Sequence, residues 1–442
     1  MMYAGAAGIA AAAAALFAWS PLGVACGALI AAMTWRATSR WEGVERRWVG
    51  GALIAGTLLR ALCVLALFLM TGPQEQFNVL FGDGRFAVDR SIWILNEASG
   101  IPIAPFYWMR VSQNYGDVQY HYALAVVQWF FGPSPYALGL INVACYEVFA
   151  IVFHRLMRRA FGAAAAGAAL LLLMFWPTIF VWTFSMLKES LQFGLAVAAM
   201  ACAVGTTRAG STGRRLAWAA GGVASLVALT ELRPGSSLMA GGAIAFGVAA
   251  FAATRRTWLA LAAAALARAA VYGAAAQPAV RAQALSQTRI ALVRHVGHVK
   301  SSGISYRAAD ERFYRGERLV PFTMEPSEGV RFLLLSAFYF FAAPLPQHIA
   351  STSGTLFLPL QFAWYALLLL MLAGIPEALR RDPLVTWLSI GYVLTGLVTI
   401  APNSGNIGTL IRHRDMVVPF VIGLGSVGFV GLLARMTRHV PD

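Results

Sequence analysis

The sequence predicts an all-α bundle of membrane-spanning helices, and three observations lead there. Of 442 residues, 59% are hydrophobic and 12% charged, about half the charged share of an ordinary soluble domain. The apolar residues fall in runs of about 20, the length that crosses a bilayer. Arginines mark alternate connections between those runs, as the positive-inside rule asks of short cytoplasmic loops.

About eleven or twelve spans are expected from runs of this length. The first 35 residues are Ala-rich without a basic n-region, so they read as retained and not as a signal peptide. Pro21 in WSPLG makes them a tight hairpin or one broken helix. Ten further runs follow, at 48–72, 136–157, 162–181, 187–206, 217–231, 235–253, 258–275, 355–374, 384–400 and 415–434.

Basic groups at Arg36/Arg40/Arg46/Arg47, Arg155/Arg158/Arg159, Arg208/Arg214/Arg215, Arg255/Arg256, Arg380/Arg381 and Arg435/Arg438 place six connections in the cytoplasm. The two long loops, 73–135 and 276–354, are then outside and the C-terminus inside. This requires that 329–345, which carries Pro344, stay interfacial or re-entrant. No repeat or linker divides the chain, so 1–442 reads as a single integral domain.

The net charge of +15 is scattered in ones to fours along the chain, which argues against nucleic acid as a partner. Cys26, Cys63, Cys145 and Cys202 sit in apolar stretches with no CxxC spacing, so neither disulfides nor a zinc site is expected.

Ionisable groups near a membrane are costly and mark candidate sites. The first outer loop carries FGDGRFAVDR with Asp83, Arg85, Asp89 and Arg90, and later Asp117. Glycines flanking Asp83 permit a tight turn that would present its carboxylate on a flexible loop. Three short outer turns carry Lys188 and Glu189 (WTFSMLKES), Glu231 and Arg233 (TELRP), and Arg412, His413, Arg414 and Asp415 (NSGNIGTLIRHRD). Outer turns are normally poor in Lys and Arg, so these cations are expected to gather on the side of Asp83. A carboxylate among cations suits removal of a hydroxyl proton while a phosphate departs. Mid-span, Arg60 and Arg268 are expected to pair with Glu147, which leaves little for a transport pathway.

The order of these elements resembles the GT-C superfamily of membrane glycosyltransferases, which use polyprenyl-phosphate-linked sugars. The resemblance covers about 75–210. It rests on span 48–72 leading to Asp83, on YHYALAVVQWFFGPSPYALGLINV, on HRLMRRAFG, and on FWPTIFVWTFSMLKES with its Pro-bearing span end and outer Lys-Glu pair. The chain departs from the family pattern of two adjacent acids, having Asp-Gly-Arg with the next acid at Asp89.

The resemblance implies that Asp83 activates the acceptor, that Lys188 orders the donor phosphate and that Glu189 orients it. Asp89 and Asp117 stay open as alternative bases. Arg233, Arg412 and Arg414 are assigned to phosphate contact from charge and expected side alone. A divalent ion, Mg or Mn, held through Asp83 and Glu189 also stays open. The implied partners are a polyprenyl-phosphate-linked sugar donor, a lipid-linked or envelope glycan acceptor and membrane lipids, at the outer face of a bacterial-type plasma membrane, with inversion at the sugar. A polymerase using polyprenyl-pyrophosphate-linked glycan and a transporter or flippase are the competing functions.

Overall fold

The computed structural model describes residues 20–39, 41–80, 82–112, 118–132, 134–255, 265, 268–269, 272–273, 276–301, 303–315, 320–345, 355 and 357–438. The described residues are helical apart from turns and one isolated β-bridge between Ser305 and Asn406. Expected segments at the N-terminus before residue 20 and through most of 258–275 lie outside the described residues. The chain forms two compact units, Met1–Ser237 and Leu238–Asp442.

The first unit opens with α1 (Pro21–Thr38). Pro21 starts this helix, and the Ser20 hydroxyl caps it by accepting from Gly23 N at 2.9 Å. Next comes α2 (Gly43–Glu75), which kinks at Gly72, where φ is +82° and a side chain would be strained. Three helices fill the first long loop: α3 (Gly82–Ala98), α4 (Pro105–Ser112) and α5 (Val118–Phe131). α6 (Pro135–Phe161) follows, then α7 (Ala163–Phe175) and α8 (Pro177–Phe184), bent by 60°. The bend falls at Trp176, which is extended because the following Pro177 disfavours the helical region there. α9 (Glu189–Arg208) and α10 (Thr212–Leu232) are antiparallel neighbours across a short turn, and α11 (Pro234–Arg255) begins at the end of this unit and lies mostly in the second.

In the second unit α12 (Pro278–Val299), the one-turn α13 (Arg312–Arg315) and α14 (Pro326–Ala342) occupy the second long loop. α14 begins with a Glu325–Glu328 capping box and its 17 residues span about 25 Å, short of the hydrocarbon core. α15 (Leu358–Arg381), α16 (Pro383–Ile400), α17 (Ile407–Arg414) and α18 (Val418–Arg438) complete the unit. α15 and α18 touch backbone to backbone: a Cβ on Gly428 would lie 2.1 Å from Leu370 O, and one on Gly374 2.3 Å from Leu424 O. Small residues at such a seam permit close helix packing where lipid gives no hydrophobic drive.

Seven helices among the described residues are long and apolar enough to cross a membrane, or eight with the bent α7–α8 pair counted as one span. All seven overlap runs read from the sequence, and the bent pair overlaps the run 162–181. α10, expected as the span 217–231, is helical but not among them. The expected Arg60–Glu147 ion pair is a correction. Arg60 Nε donates to Thr183 Oγ1 at 2.6 Å, with its guanidinium 4.4 Å from the Tyr146 ring centre. Glu147 instead accepts from Thr34 and Thr57, at 2.8 and 2.6 Å. Each group's direct contacts are thus with hydroxyls, and for Arg60 also with aromatic faces, while the two charges attract only at longer range.

Candidate functional site

In the first unit one apolar cluster gathers residues far apart in sequence. Leu22, Ala87, Val88, Tyr120, Leu138, Met186 and Leu232 belong to it. Each contributing segment carries a polar residue within a few positions, so packing the apolar side chains brings the polar ones to a common neighbourhood.

α3 supplies Asp83 and Arg90, seven residues and about two turns apart. Asp83 lies in the first turn of this helix, not on a flexible loop, and it is exposed. The local backbone is helical, and a carboxylate in a first turn also complements the helix dipole. Gly84 is needed for close approach: a Cβ there would lie 2.9 Å from Phe77 O and 3.6 Å from Met186 Cβ. The start of α3 is thereby laid against the turn that precedes Lys188. Asp89 points elsewhere, pairing with Arg85 at 3.7 Å, and Arg85 also pairs with Glu75 at 2.5 Å. Partial burial raises the Asp89 carboxyl pKa, opposed by Arg85. Asp117 lies outside the described residues.

The 185–188 turn is held from beneath by Asn142 of α6, whose amide donates to Ser185 O and, at 2.7 Å, to Leu187 O. Lys188 is the N-cap residue of α9 and Glu189 its first residue. Both are buried, Lys188 7% exposed and Glu189 0%, so Lys188 is not the surface cation its place beside an outer turn had implied. Arg233 ends α10 and reaches Glu189, Nη2 to Oε1, at 3.7 Å. Two of the turns expected to gather their charges on one side thus meet through an ion pair.

Four further residues lie on the same segments, and of these only Arg90 stood among the ionisable residues of the first long loop named above. Arg90 is fully buried, its guanidinium 6.0 Å from the Phe86 ring centre. His121 of α5 faces it; burial first, and the Arg90 cation second, hold the imidazole pKa down at about 4. Tyr120 has Asn142 and Glu189 as polar neighbours, and burial raises its pKa. Gln192 is fully buried one turn into α9. The available signals were the Asp83–Arg90 helical spacing and a polar Asn142 inside an apolar run, which by itself reads as packing.

Arg90, Lys188 and Arg233 and the carboxylates of Asp83 and Glu189 are therefore carried by segments that pack on one apolar cluster, with Arg233 paired to Glu189 and the neutral His121 imidazole beside Arg90. Cations in a dry setting bind phosphate oxygens strongly, and Glu189 fixes the direction of Arg233. Among the described residues no group of three or more His, Cys, Asp or Glu side chains could hold a metal ion.

In the second unit, Asn406 caps α17 by accepting from Gly408 N at 2.8 Å. Arg412 is half-buried on this helix. Arg414 is 5% exposed, donates from Nη1 to Ala343 O at 2.7 Å and lies 4.5 Å from the Trp364 ring centre. Burial lowers its pKa to about 10, opposed by Asp415, so it remains a cation at neutral pH. His295 of α12 joins this turn: Nδ1–H donates to Ser404 O at 2.6 Å, and Nε2 accepts from the Tyr314 hydroxyl at 3.0 Å. That pattern is satisfied only by the neutral ring, and burial holds its pKa at about 4.

His121 and His295 have folded-state pKa values below the usual 6.5. The unfolded chain therefore binds more protons between those values, and stability should be full above about pH 6.5 and fall as pH drops towards 4. Thermal unfolding of the detergent-solubilised protein should occur at a lower temperature at pH 5 than at pH 7.5, and His295→Gln should reduce the difference. A pH-independent midpoint would contradict the neutral assignment.

Fold and cluster together define an all-helical chain of multi-pass membrane type, with a buried, cation-rich cluster in its first unit. No protein-family model, no curated protein and no solved structure matches this chain.

Proposed function

We propose that the protein is a membrane glycosyltransferase of GT-C type, moving a sugar from a polyprenyl-phosphate donor to a lipid-linked or envelope glycan. The observation that carries this reading is the meeting of Asp83's helix with the Lys188–Glu189 turn and with Arg233 over one apolar cluster. Asp83 takes the proton from the acceptor hydroxyl as that oxygen attacks the sugar carbon. The bond to phosphate breaks with inversion, and Lys188 and Arg233 stabilise the departing phosphate, with Glu189 orienting the guanidinium. Arg412, in the second unit, keeps an assignment to phosphate contact from charge alone. The site faces outward at a bacterial-type plasma membrane, with the C-terminus inside, by the arginine pattern.

Lipid extracts from cells lacking the protein test the reading: polyprenyl-monophosphate-linked sugar should accumulate. Accumulation of a glycan on polyprenyl pyrophosphate would instead identify a polymerase, and unchanged lipid-linked pools would remove both. Lys188→Met keeps the buried stem and removes the charge, so it should lower donor affinity while the protein stays inserted and abundant; Arg412→Ala should do likewise. Loss of protein in both variants would make these cations structural. Orientation is tested by Ser99→Cys and Ser301→Cys in a background without native cysteines. Both should react with an impermeant thiol reagent from outside, and protection of Ser301→Cys alone would refute the span count.

A further inference from the structure

The other end of the first unit carries a second cationic assembly that glycosyl transfer does not use. A cavity of about 620 Å³ opens between α6, α9 and α10, and four arginines line it: Arg155, Arg159, Arg208 and Arg214. Arg155 and Arg159 lie one turn apart near the end of α6, Arg208 is the last residue of α9, and Arg214 lies in the first turn of α10. None of the lining residues is acidic. The remaining wall is apolar, with Leu156 and Trp218 prominent. Gly205 makes that wall close, since a Cβ there would lie 2.5 Å from Trp218 Cδ2.

Cations at the ends of α6 and α9 complement helix dipoles and would need no other explanation. Arg214 is different, because a cation in the first turn of a helix opposes the dipole. Arg158, between the α6 pair in sequence, instead makes a two-point ion pair with Glu45 and so serves the fold. A cavity lined by four guanidiniums and by no acidic residue suits an anion whose charge they share. Two of the contributing helices are candidate spans that end here, which sets the cavity at the level of lipid headgroups.

We infer that this cavity is a binding site for an anionic phospholipid: the arginines take the phosphate, and Trp218 with the aliphatic wall takes the glycerol and upper acyl segments. Guanidinium forks match phosphate geometry, basic pockets between spanning helices suit acidic headgroups, and the volume lies within the range of ligand pockets. The inference does not depend on the glycosyltransferase reading.

The test is native mass spectrometry of the full chain in detergent, titrated with phosphatidylglycerol or phosphatidylcholine. Phosphatidylglycerol should be retained preferentially. Arg159→Gln and Arg214→Gln should each weaken that retention about fivefold, and the double variant about twenty-five-fold, the loss expected from removing one basic side chain each near an acidic headgroup. Arg159→Lys with Arg214→Lys should restore most of it, and Arg381→Gln, a cation paired with Glu377 in the second unit, should change nothing. Equal retention of the two lipids, or retention indifferent to the glutamine variants, overturns the inference. Displacement of phosphatidylglycerol by millimolar inorganic phosphate would also overturn it, showing a site for a soluble anion. If the glutamine variants do not fold, the wild-type lipid comparison and the lysine variant still decide it.

Discussion

Asp83→Asn should lower glycosyl transfer by about 10²–10⁴-fold, the typical contribution of a general base, while the amount of protein in the membrane stays unchanged. Asparagine is nearly isosteric and keeps an oxygen in the first turn of α3, so the helix and the Gly84 contact with Met186 are preserved. What it loses is the ability to accept a proton. Asp89→Asn should cost much less, because Asp89 is engaged with Arg85. Transfer by membranes carrying each variant, scaled to protein abundance, is the measurement. Near-normal transfer by Asp83→Asn removes it from the catalytic role, and a large loss at Asp89 or Asp117 alone relocates the base.

Gly428→Val should be the most damaging single change to the fold of the second unit. Its first side-chain carbon would fall 2.1 Å from Leu370 O, a contact that no rotamer relieves because the opposing atom is backbone. The α15–α18 seam must open, losing dispersion along its length as well as incurring about 1–3 kcal/mol of overpacking cost. Folded yield in detergent and the unfolding temperature should both fall sharply. Gly431→Ala, three residues on with no atom within 4 Å of the added carbon, should be nearly silent. Equal behaviour of the two variants would show that the seam is not tightly closed.

The helical ends of the candidate site were legible from local chemistry. The Lys-Glu pair at the head of a helix is where WTFSMLKES placed it, because a turn followed by an apolar run fixes that boundary locally. Asp83 was legible as an ionisable residue after a long span, but its conformation was misread: two glycines permit a loop without requiring one, and contacts to Phe77 and Met186 favour the helix. His121, Tyr120 and Asn142 were not legible as site residues. Each sits within an apolar stretch, and its polar partner lies tens of residues away in sequence.

By itself the sequence determined that the chain is helical, that it is built to cross a membrane repeatedly, and where most of its long apolar helices lie. Those properties follow from composition and from runs of about 20 residues, which act within one helix. It took the packed fold to pair Arg233 with Glu189, to rest Arg60 on hydroxyl and aromatic groups and not on Glu147, and to bring four arginines near helix ends to one cavity. Charge and hydropathy are properties of single residues, whereas partnership depends on which helix faces meet. Here those faces are set by small residues such as Gly84, Gly205 and Gly428, whose missing side chains permit the contact and leave no mark in hydropathy or charge.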